Sequence, residues 1–206
     1  MLIETLQALV PVFVIVSPIG TVPMFLGMTQ GDPPARRIRT AWIAAITTTV
    51  TLMVACLVGQ YIFDFFGVSV DAFRIAGGIL LFIIALDFIQ VRQTRMKATD
   101  PEIEEGVQKQ EVGIIPLAIP MLSGPGAIAT VMVMRGSTSS SLPLLLAILL
   151  VGVATLITFL LASRLQKRLS ASFLGIVLRL EGLLLAAIAA QMVVTGVTNL
   201  VVKSLR

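Results

Sequence analysis

Long stretches without a charged residue alternate with short charged segments along the whole chain. Five of these stretches are long enough to cross a bilayer as an α-helix, which needs about 20 apolar residues. A sixth, between Arg74 and Asp87, becomes long enough if its helix covers residues 71–91. The pattern predicts an all-α integral membrane protein with six transmembrane helices, in the uncharged stretches 5–31, 40–63, 75–86, 112–134, 142–163 and 182–202.

Composition supports this class of protein. Of the 206 residues, 57% are hydrophobic and 13% are charged, whereas a soluble domain has about 25% charged residues. The pI near 9.8 does not indicate nucleic-acid binding, because the cations lie in the connections between spans, where they set orientation. Ten basic residues fall in connections 28–40, 92–111 and 164–175, against three in the other connections and the termini. We therefore expect both termini outside.

The N-terminal segment is expected to remain in the mature protein. It has no basic region before its apolar run, it carries Glu4, and it lacks a small-residue cleavage site, so a secretory signal peptide is not expected. The single cysteine, Cys56, excludes an internal disulfide. The predicted location is the inner (cytoplasmic) membrane, with several passes.

The chain contains two related halves. Residues 13–25 align with 119–131, and residues 73–86 align with 178–191, at nearly equal offsets of 106 and 105. Three spans in each copy place the second copy upside down in the membrane, as in many secondary transporters. We expect a first repeat at 1–91, a cytoplasmic linker at 92–111 and a second repeat at 112–206, within one membrane domain. The alignment pairs Ser17 with Ser123, Gly20 with Gly126, and Gly77 with Gly182; Gly77 and Gly78 are expected to allow close helix contact.

Prolines and glycines interrupt the first and fourth spans near the midplane. A proline lacks an N–H and releases the carbonyl four residues earlier, so that Pro18 and Pro23 would free acceptors such as the carbonyl of Ile19. Amides after each break form a helix N-terminus with partial positive charge. Two breaks placed face to face would suit the carboxylate and ammonium groups of a small zwitterion such as glycine, alanine or serine.

These interruptions define the candidate substrate site. The competing explanation is that proline kinks are common in membrane helices and are repaired by neighbouring helices or hydroxyl groups. Matching motifs at equivalent repeat positions favour a site, in which glycines let a ligand approach the backbone and Thr130 adds a hydroxyl. The candidate substrate-binding residues are Ser17, Pro18, Gly20, Thr21, Ser123, Gly124, Pro125, Gly126 and Ala127.

Four ionisable residues within the spans are candidates for coupling or gating, because charges there are costly and usually functional or paired. An ion pair between Asp87 and Arg179 at the cytoplasmic end is geometrically allowed. By the same reasoning Arg74 has no partner and is expected to extend toward the outer headgroups. If a proton drives transport, Asp87 is the first candidate carrier and Glu181 the second.

Three segments together resemble the MarC family of bacterial and archaeal inner-membrane proteins, which includes small neutral amino acid transporters (SnatA). They are "SPIGTVPMF" at 17–25, "RIAGGILLFIIALD" at 74–87 and "IPMLSGPGAIATVM" at 119–132. The resemblance covers essentially the whole chain and implies six spans and the uptake or export of glycine, alanine and similar amino acids. The family's first motif usually reads Asn-Pro-x-Gly. Ser17 stands here instead, keeps a polar group and loses the amide, a difference that bears on substrate choice.

The function that the sequence favours is secondary transport of small neutral amino acids, and the alternative is a channel for small neutral solutes. An enzyme is not expected, since the chain has no histidine to activate a serine and no clustered metal ligands. No cofactor or metal is expected, although a coupling ion, H⁺ or Na⁺, is left open. The expected partners are the amino acid and the lipid bilayer; nucleic acid is not expected, and a homo-oligomer is left open.

Overall fold

The computed structural model describes residues 2–90, 113–137, 140–165 and 171–205, and the regular elements in these ranges are all helical. The predicted linker 92–111 lies outside the described residues. The prediction of an all-α protein is confirmed for the rest. The helices are α1 (Leu2–Val16), α2 (Val22–Met28), α3 (Pro34–Phe66), α4 (Val70–Ile89), the π-helical α5 (Gly113–Leu122), α6 (Pro125–Gly136), α7 (Leu142–Leu165) and α8 (Ala171–Ser204).

Four helical segments in the described residues are long and apolar enough to cross a membrane: Pro34–Gly59, Val70–Ile89, Leu142–Arg164 and Gly175–Ser204. They contain the predicted stretches 75–86, 142–163 and 182–202 in full, and the predicted stretch 40–63 except for its last four residues. The predicted stretches 5–31 and 112–134 each divide between two helices, α1 with α2 and α5 with α6. The apolar helix α1 is shorter than a span.

The long helices expose apolar side chains on their outer faces. Helix α3 carries a continuous stripe of exposed residues at helical spacing, and such a patch on a soluble monomer would be unusually large. In a bilayer the stripe faces lipid, as an integral membrane protein requires. The stripe consists of Ile38, Trp42, Ile46, Val50, Val54, Leu57 and Tyr61.

The turn between α3 and α4 follows from two residues, Gly67 and Ser69. Gly67 has a φ of 63°, and in this left-handed conformation it ends α3 at little cost. Its N–H donates to the carbonyl of Asp64 at 3.4 Å. Ser69 then caps α4, since its Oγ accepts the N–H of Ala72 at 3.1 Å. This turn fixes where α4 and its first charged residue begin.

Helices α4 and α8 pack with their backbones almost in contact. A Cβ on Gly78 would lie 2.9 Å from the carbonyl oxygen of Ala189, and a Cβ on Gly182 would lie 3.0 Å from that of Ala85. Gly77 meets Ala129 of α6 and Met192 of α8. The prediction that Gly77 and Gly78 allow close helix contact is confirmed.

The core lies between the four long helices and the shorter ones. Helix α1 packs on α7, and α5 packs on α3. Phe25 of α2 stacks on Phe159 of α7, with ring centroids 4.4 Å apart and planes 4° from parallel, which anchors the seven-residue α2. The largest fully buried aliphatic side chains are Val12, Val16, Leu52, Leu81, Leu117, Leu122, Val131, Ile148, Val151 and Leu185.

Candidate functional site

The predicted site residues lie at the two gaps between short helices. The first gap, residues 17–21, separates α1 from α2; the second, residues 123–124, separates α5 from α6. Ser17, Thr21 and Ser123 are almost completely buried. Gly126 and Ala127 are also buried in the first turn of α6, whereas Pro125 is exposed and Gly20 is half-buried. Pro18 and Gly124 are buried as well.

The helix ends next to the two gaps, the end of α1 and the start of α6, contact each other. Cδ1 of Ile15, two residues before the first gap, lies 3.3 Å from the position that a Cβ on Gly126 would take. Leu81 and Ile84 of α4 lie 2.9 Å from the same position. Gly126 therefore sits where α1, α4 and α6 meet, and protein side chains fill the space that its missing side chain leaves.

Backbone hydrogen bonds close the first gap. Ser17 has a φ of 49°, which is uncommon for a residue with a side chain. Its N–H donates to the carbonyl of Phe13 at 2.9 Å, and its own carbonyl accepts the N–H of Thr21 at 3.1 Å. The carbonyl of Ile19 accepts the N–H of Val22 at 3.1 Å. The prediction that Pro23 leaves the Ile19 carbonyl free is therefore wrong, because a tighter turn supplies another donor.

The Ser17 side chain reaches across the core to α8. Its Oγ donates a hydrogen bond to Oε2 of Glu181. Glu181 is only 7% exposed. A Cβ on Gly20 would lie 3.1 Å from the same oxygen and 2.7 Å from Leu178. The first gap is thus linked to a buried carboxyl group by a side chain held in a strained backbone conformation. Both residues were candidates from the sequence, but nothing in the sequence paired them.

Hydroxyl groups at both gaps donate to backbone carbonyls. Thr21 Oγ1 donates to the carbonyl of Ser17 at 2.9 Å, and Ser123 Oγ donates to that of Ala118 at 2.8 Å. The N–H of Ser123 reaches the same carbonyl, five residues back, at 2.9 Å, which is the π-helical pattern. Thr130 Oγ1 donates to the carbonyl of Gly126 at 2.9 Å. The carbonyls of Ser17 and Ala118 already accept a backbone N–H, so the hydroxyls of Thr21 and Ser123 add a second hydrogen bond there and do not replace one that a proline removes.

The start of α6 provides amide donors at the second gap. Pro125 has no N–H, and the first turn of a helix leaves its amides without acceptors inside the helix. The amides of Gly126 and Ala127 belong to this turn and are buried. They carry the partial positive charge of the helix N-terminus, so a carboxylate is the group that would suit them.

The candidates for coupling and gating fall into separate places. Asp87 is half-buried on α4 and Arg179 is exposed on α8. Among the residues that the structure describes, no hydrogen bond or ion pair joins the two. Glu181 lies at the first gap, as described above, and Arg74 lies at the opposite end of α4 from Asp87.

The prediction that Arg74 lacks a partner is wrong. Its Nη1 donates to Oδ1 of Asp71 at 3.2 Å, and its Nη2 donates to the hydroxyl of Ser137. Residues three apart on a helix lie on one face, so the acid one turn earlier is a natural partner. Asp71 also accepts from Asn199 Nδ2 at 2.9 Å and from Lys203 Nζ at 2.6 Å. Sequence analysis missed this group, which we call the Asp71 cluster: Asp71, Arg74, Ser137, Asn199 and Lys203.

Among the described residues, no group of three or more His, Cys, Asp or Glu side chains lies close enough together to hold a metal ion.

Comparison with known proteins identifies the relatives of this chain. Residues 2–201 match the family described as MarC family integral membrane protein. A UPF0056 membrane protein of Pyrococcus abyssi is 40% identical over 189 residues, which cover 91% of both chains. The UPF0056 membrane protein YhcE of Escherichia coli is 33% identical, with 91% of this chain and 89% of YhcE covered. YvbG of Bacillus subtilis is 32% identical, with 93% and 92% covered. No solved structure matches.

Proposed function

This chain belongs to the MarC family of integral membrane proteins, and we propose that it is a secondary transporter of small neutral amino acids such as glycine, alanine and serine. It would act by alternating access across the cytoplasmic membrane, with the substrate held between the gaps at 17–21 and 123–127. The observation that carries this proposal is the contact between the helix ends beside the two gaps, Ile15 of α1 with Gly126 of α6. Interrupted helices that meet inside a membrane protein typically form substrate sites.

The topology that we propose has six spans in two inverted repeats. Helices α1 and α2 would cross the membrane together as one broken span, and α5 and α6 as another. Two observations support this arrangement. A pair of short helices followed by two long ones occurs twice in the chain. In addition, α1 packs on α7 and α5 packs on α3, so each half places its first helix on the second span of the other half. The linker 92–111 would be cytoplasmic and both termini outside.

The chemistry of the gaps suits a zwitterion. The amides of Gly126 and Ala127 would bind the carboxylate. The backbone carbonyls that now accept from Thr21 and Ser123 would bind the ammonium group, while the hydroxyls would turn toward the substrate. No charged side chain is needed for either contact. Small substrates are favoured because the candidate binding residues themselves are glycine, serine, threonine, alanine and proline.

Alternating access would follow from the packing of the glycines. Ser17 and Leu178 occupy the space beside Gly20, and Leu81 and Ile84 occupy the space beside Gly126. A substrate that reaches these backbones must displace the side chains, so its binding would change how the helices pack. This coupling between binding and packing is what a carrier needs and what an open channel does not.

Glu181 is the better candidate for proton coupling. It is buried and bonded to the first gap through Ser17, whereas Asp87 is half-buried on α4. Protonation of Glu181 would weaken its hydrogen bond with the Ser17 hydroxyl and so release the backbone of the first gap. Asp87 and Arg179 remain candidates for a gate whose ion pair would form in another conformation. We propose no enzymatic activity and no cofactor besides the coupling ion.

Counterflow tests the proposal. Purified protein would be placed in liposomes loaded with unlabelled alanine, and the entry of labelled alanine would be followed over time, with protein-free liposomes as control. Transient accumulation that excess glycine or serine blocks, but leucine or lysine does not, is the expected result. Entry of water or glycerol without labelled amino acid would instead establish a channel for small neutral solutes.

A further inference from the structure

We propose that the Asp71 cluster binds a phosphate group, either free in solution or in a lipid headgroup. The cluster lies apart from the candidate transport site. Asp71 begins α4, ten residues before Leu81 at the second gap, which is about 15 Å along the helix. Asn199 and Lys203 are near the end of α8, far from Glu181. The inference therefore does not depend on the proposed transport activity.

Asp71 organises the donors of this cluster. Its Oδ1 accepts from Arg74 Nη1 at 3.2 Å and from Asn199 Nδ2 at 2.9 Å, while its Oδ2 accepts from Lys203 Nζ at 2.6 Å. The Asp71 side chain is 7% exposed, so it is a fixed anchor. Both of its oxygens are occupied by donors from two helices, and it holds the cations in place.

The cluster retains unused donors and positive charge. Two cationic side chains surround one carboxylate, which leaves an excess of one positive charge. The ammonium of Lys203 has three donors and the guanidinium of Arg74 has five, more than their contacts with Asp71 and Ser137 consume. The Lys203 side chain is 70% exposed, so its remaining donors are open to a ligand.

A cavity of about 430 Å³ is bounded by the cluster together with Val70 and Gly136. This volume is within the range of small-molecule sites, about 300–1,000 Å³. Its polar donors come from α4, from α8 and from Ser137 just after α6, so they converge from three directions. A phosphate group offers more acceptor oxygens than a carboxylate and matches the guanidinium in geometry. Phosphate is therefore the anion that fits best.

The position of the cluster admits two sources for this phosphate. It lies at the ends of two helices long enough to span a bilayer, where headgroups are found. The last turns of α8 also expose the apolar side chains of Val197 and Val201, along which an acyl chain would lie. Free phosphate or a phosphate ester would enter the same cavity from water.

Binding measurements on the full chain test the proposal. In a phosphate-free maltoside detergent, the protein would be titrated with inorganic phosphate in one arm and with phosphatidylglycerol in the other, with bound ligand counted by native mass spectrometry. Binding in at least one arm is expected, and the arm that responds identifies the source. We expect Lys203→Gln and Arg74→Gln to weaken it by about tenfold or more, since each removes charged hydrogen bonds.

Two further variants distinguish binding at this specific site from nonspecific attraction between the ligand and positive charges on the protein. Arg164→Gln, at the exposed end of α7, removes the same charge and should leave the affinity unchanged, and Lys203→Arg should retain binding. Lys203→Gln alone keeps the test decisive if Arg74→Gln fails to fold, because the lysine is mostly exposed. Binding in neither arm, or equal loss in the Arg164 and Lys203 variants, would overturn the proposal.

Discussion

Ser17 and Glu181, 164 residues apart in the sequence, are joined by a hydrogen bond from the serine hydroxyl to the glutamate Oε2. The bond connects the turn after α1 with the first third of α8, the last helix of the chain. Ser17 holds it with a φ of 49°, a conformation that costs an ordinary residue about 1 kcal/mol or more. The bond and the strain have opposite effects on stability, which substitutions can separate.

Replacing Ser17 tests the two effects. Ser17→Ala removes the hydroxyl and keeps the strain, so we expect the free energy of unfolding to fall by about 1–3 kcal/mol. Ser17→Gly also removes the hydroxyl but relieves the strain, and about 1 kcal/mol of the loss should return. Denaturation in detergent measures both values. A glycine variant less stable than the alanine variant would contradict this account.

Glu181→Gln tests proton coupling. Glutamine keeps an acceptor for the Ser17 hydroxyl but cannot carry a charge, so the fold should persist. In proteoliposomes with acid outside, we expect this variant to retain alanine counterflow and to lose accumulation driven by the proton gradient. Asp87→Asn is the comparison variant: loss of the proposed gate would lower counterflow and accumulation together, so that accumulation in proportion to counterflow should persist. Asp32→Asn, at the surface pair with Arg36, is the neutral control and should accumulate alanine as the unmodified protein does. If only the Asp87 variant loses accumulation while it keeps counterflow, the coupling group is Asp87.

Glycine at 126 is expected to be required for packing. An added Cβ would lie 2.9 Å from Leu81 and from Ile84, so Gly126→Leu should lower the free energy of unfolding by about 1–3 kcal/mol or more through overpacking. Gly27→Ala, in α2 with open space around it, is the control and should be neutral or stabilising. Loss of transport in Gly126→Leu would thus not by itself locate the substrate.

A double-mutant cycle examines the same contact. Gly126→Ala should cost less stability when Leu81 is also shortened to alanine, because the space for the methyl group then exists. Thermal unfolding of the two single variants and the double variant provides the comparison. Additive effects would show that Leu81 does not press on residue 126.

The Asp71 cluster should contribute more to stability than a surface ion pair does. Asp71→Asn leaves Lys203 and Arg74 without their buried anion, and we expect a loss of about 1–3 kcal/mol. Asp32→Asn breaks the pair with Arg36 at 3.3 Å, whose side chains are 23% and 44% exposed, and should cost less than about 1 kcal/mol. Chemical denaturation at low salt compares them; equal losses would count against a structural role for the cluster.

Helix content and membrane character were predictable because they depend on local composition. Uncharged stretches identified four helices that are long enough to span, one of them only after the stretch 75–86 was extended past its flanking charges, and the glycines at 77 and 78 predicted a close contact that the structure contains. Helices α1 and α5 end beside prolines and glycines, which act on the backbone next to them; that these ends interrupt two membrane spans stays a prediction.

Contacts between distant segments could not be predicted in the same way. Glu181 carries no local signal that directs it to Ser17, and Lys203 lies 132 residues from Asp71. The sequence predicted that Arg74 extends toward the headgroups without a partner and did not indicate the acid one turn away, because span ends were assigned by charge alone. The sequence could not show what occupies the space beside Gly20 and Gly126, because side chains from other helices fill it.

The close packing of α4 on α8 has a mechanical consequence. Helix α4 precedes residues 92–111 in the chain and α8 follows them, yet the backbones of the two helices touch at Gly78 and Gly182. If the parts of the chain before and after residues 92–111 moved apart as rigid bodies, the contact between α4 and α8 would be lost along its whole length. In the transport cycle proposed above, the pair would therefore stay together as a common frame, and the motion would be carried by the short helices α1, α2, α5 and α6, which would tilt against it.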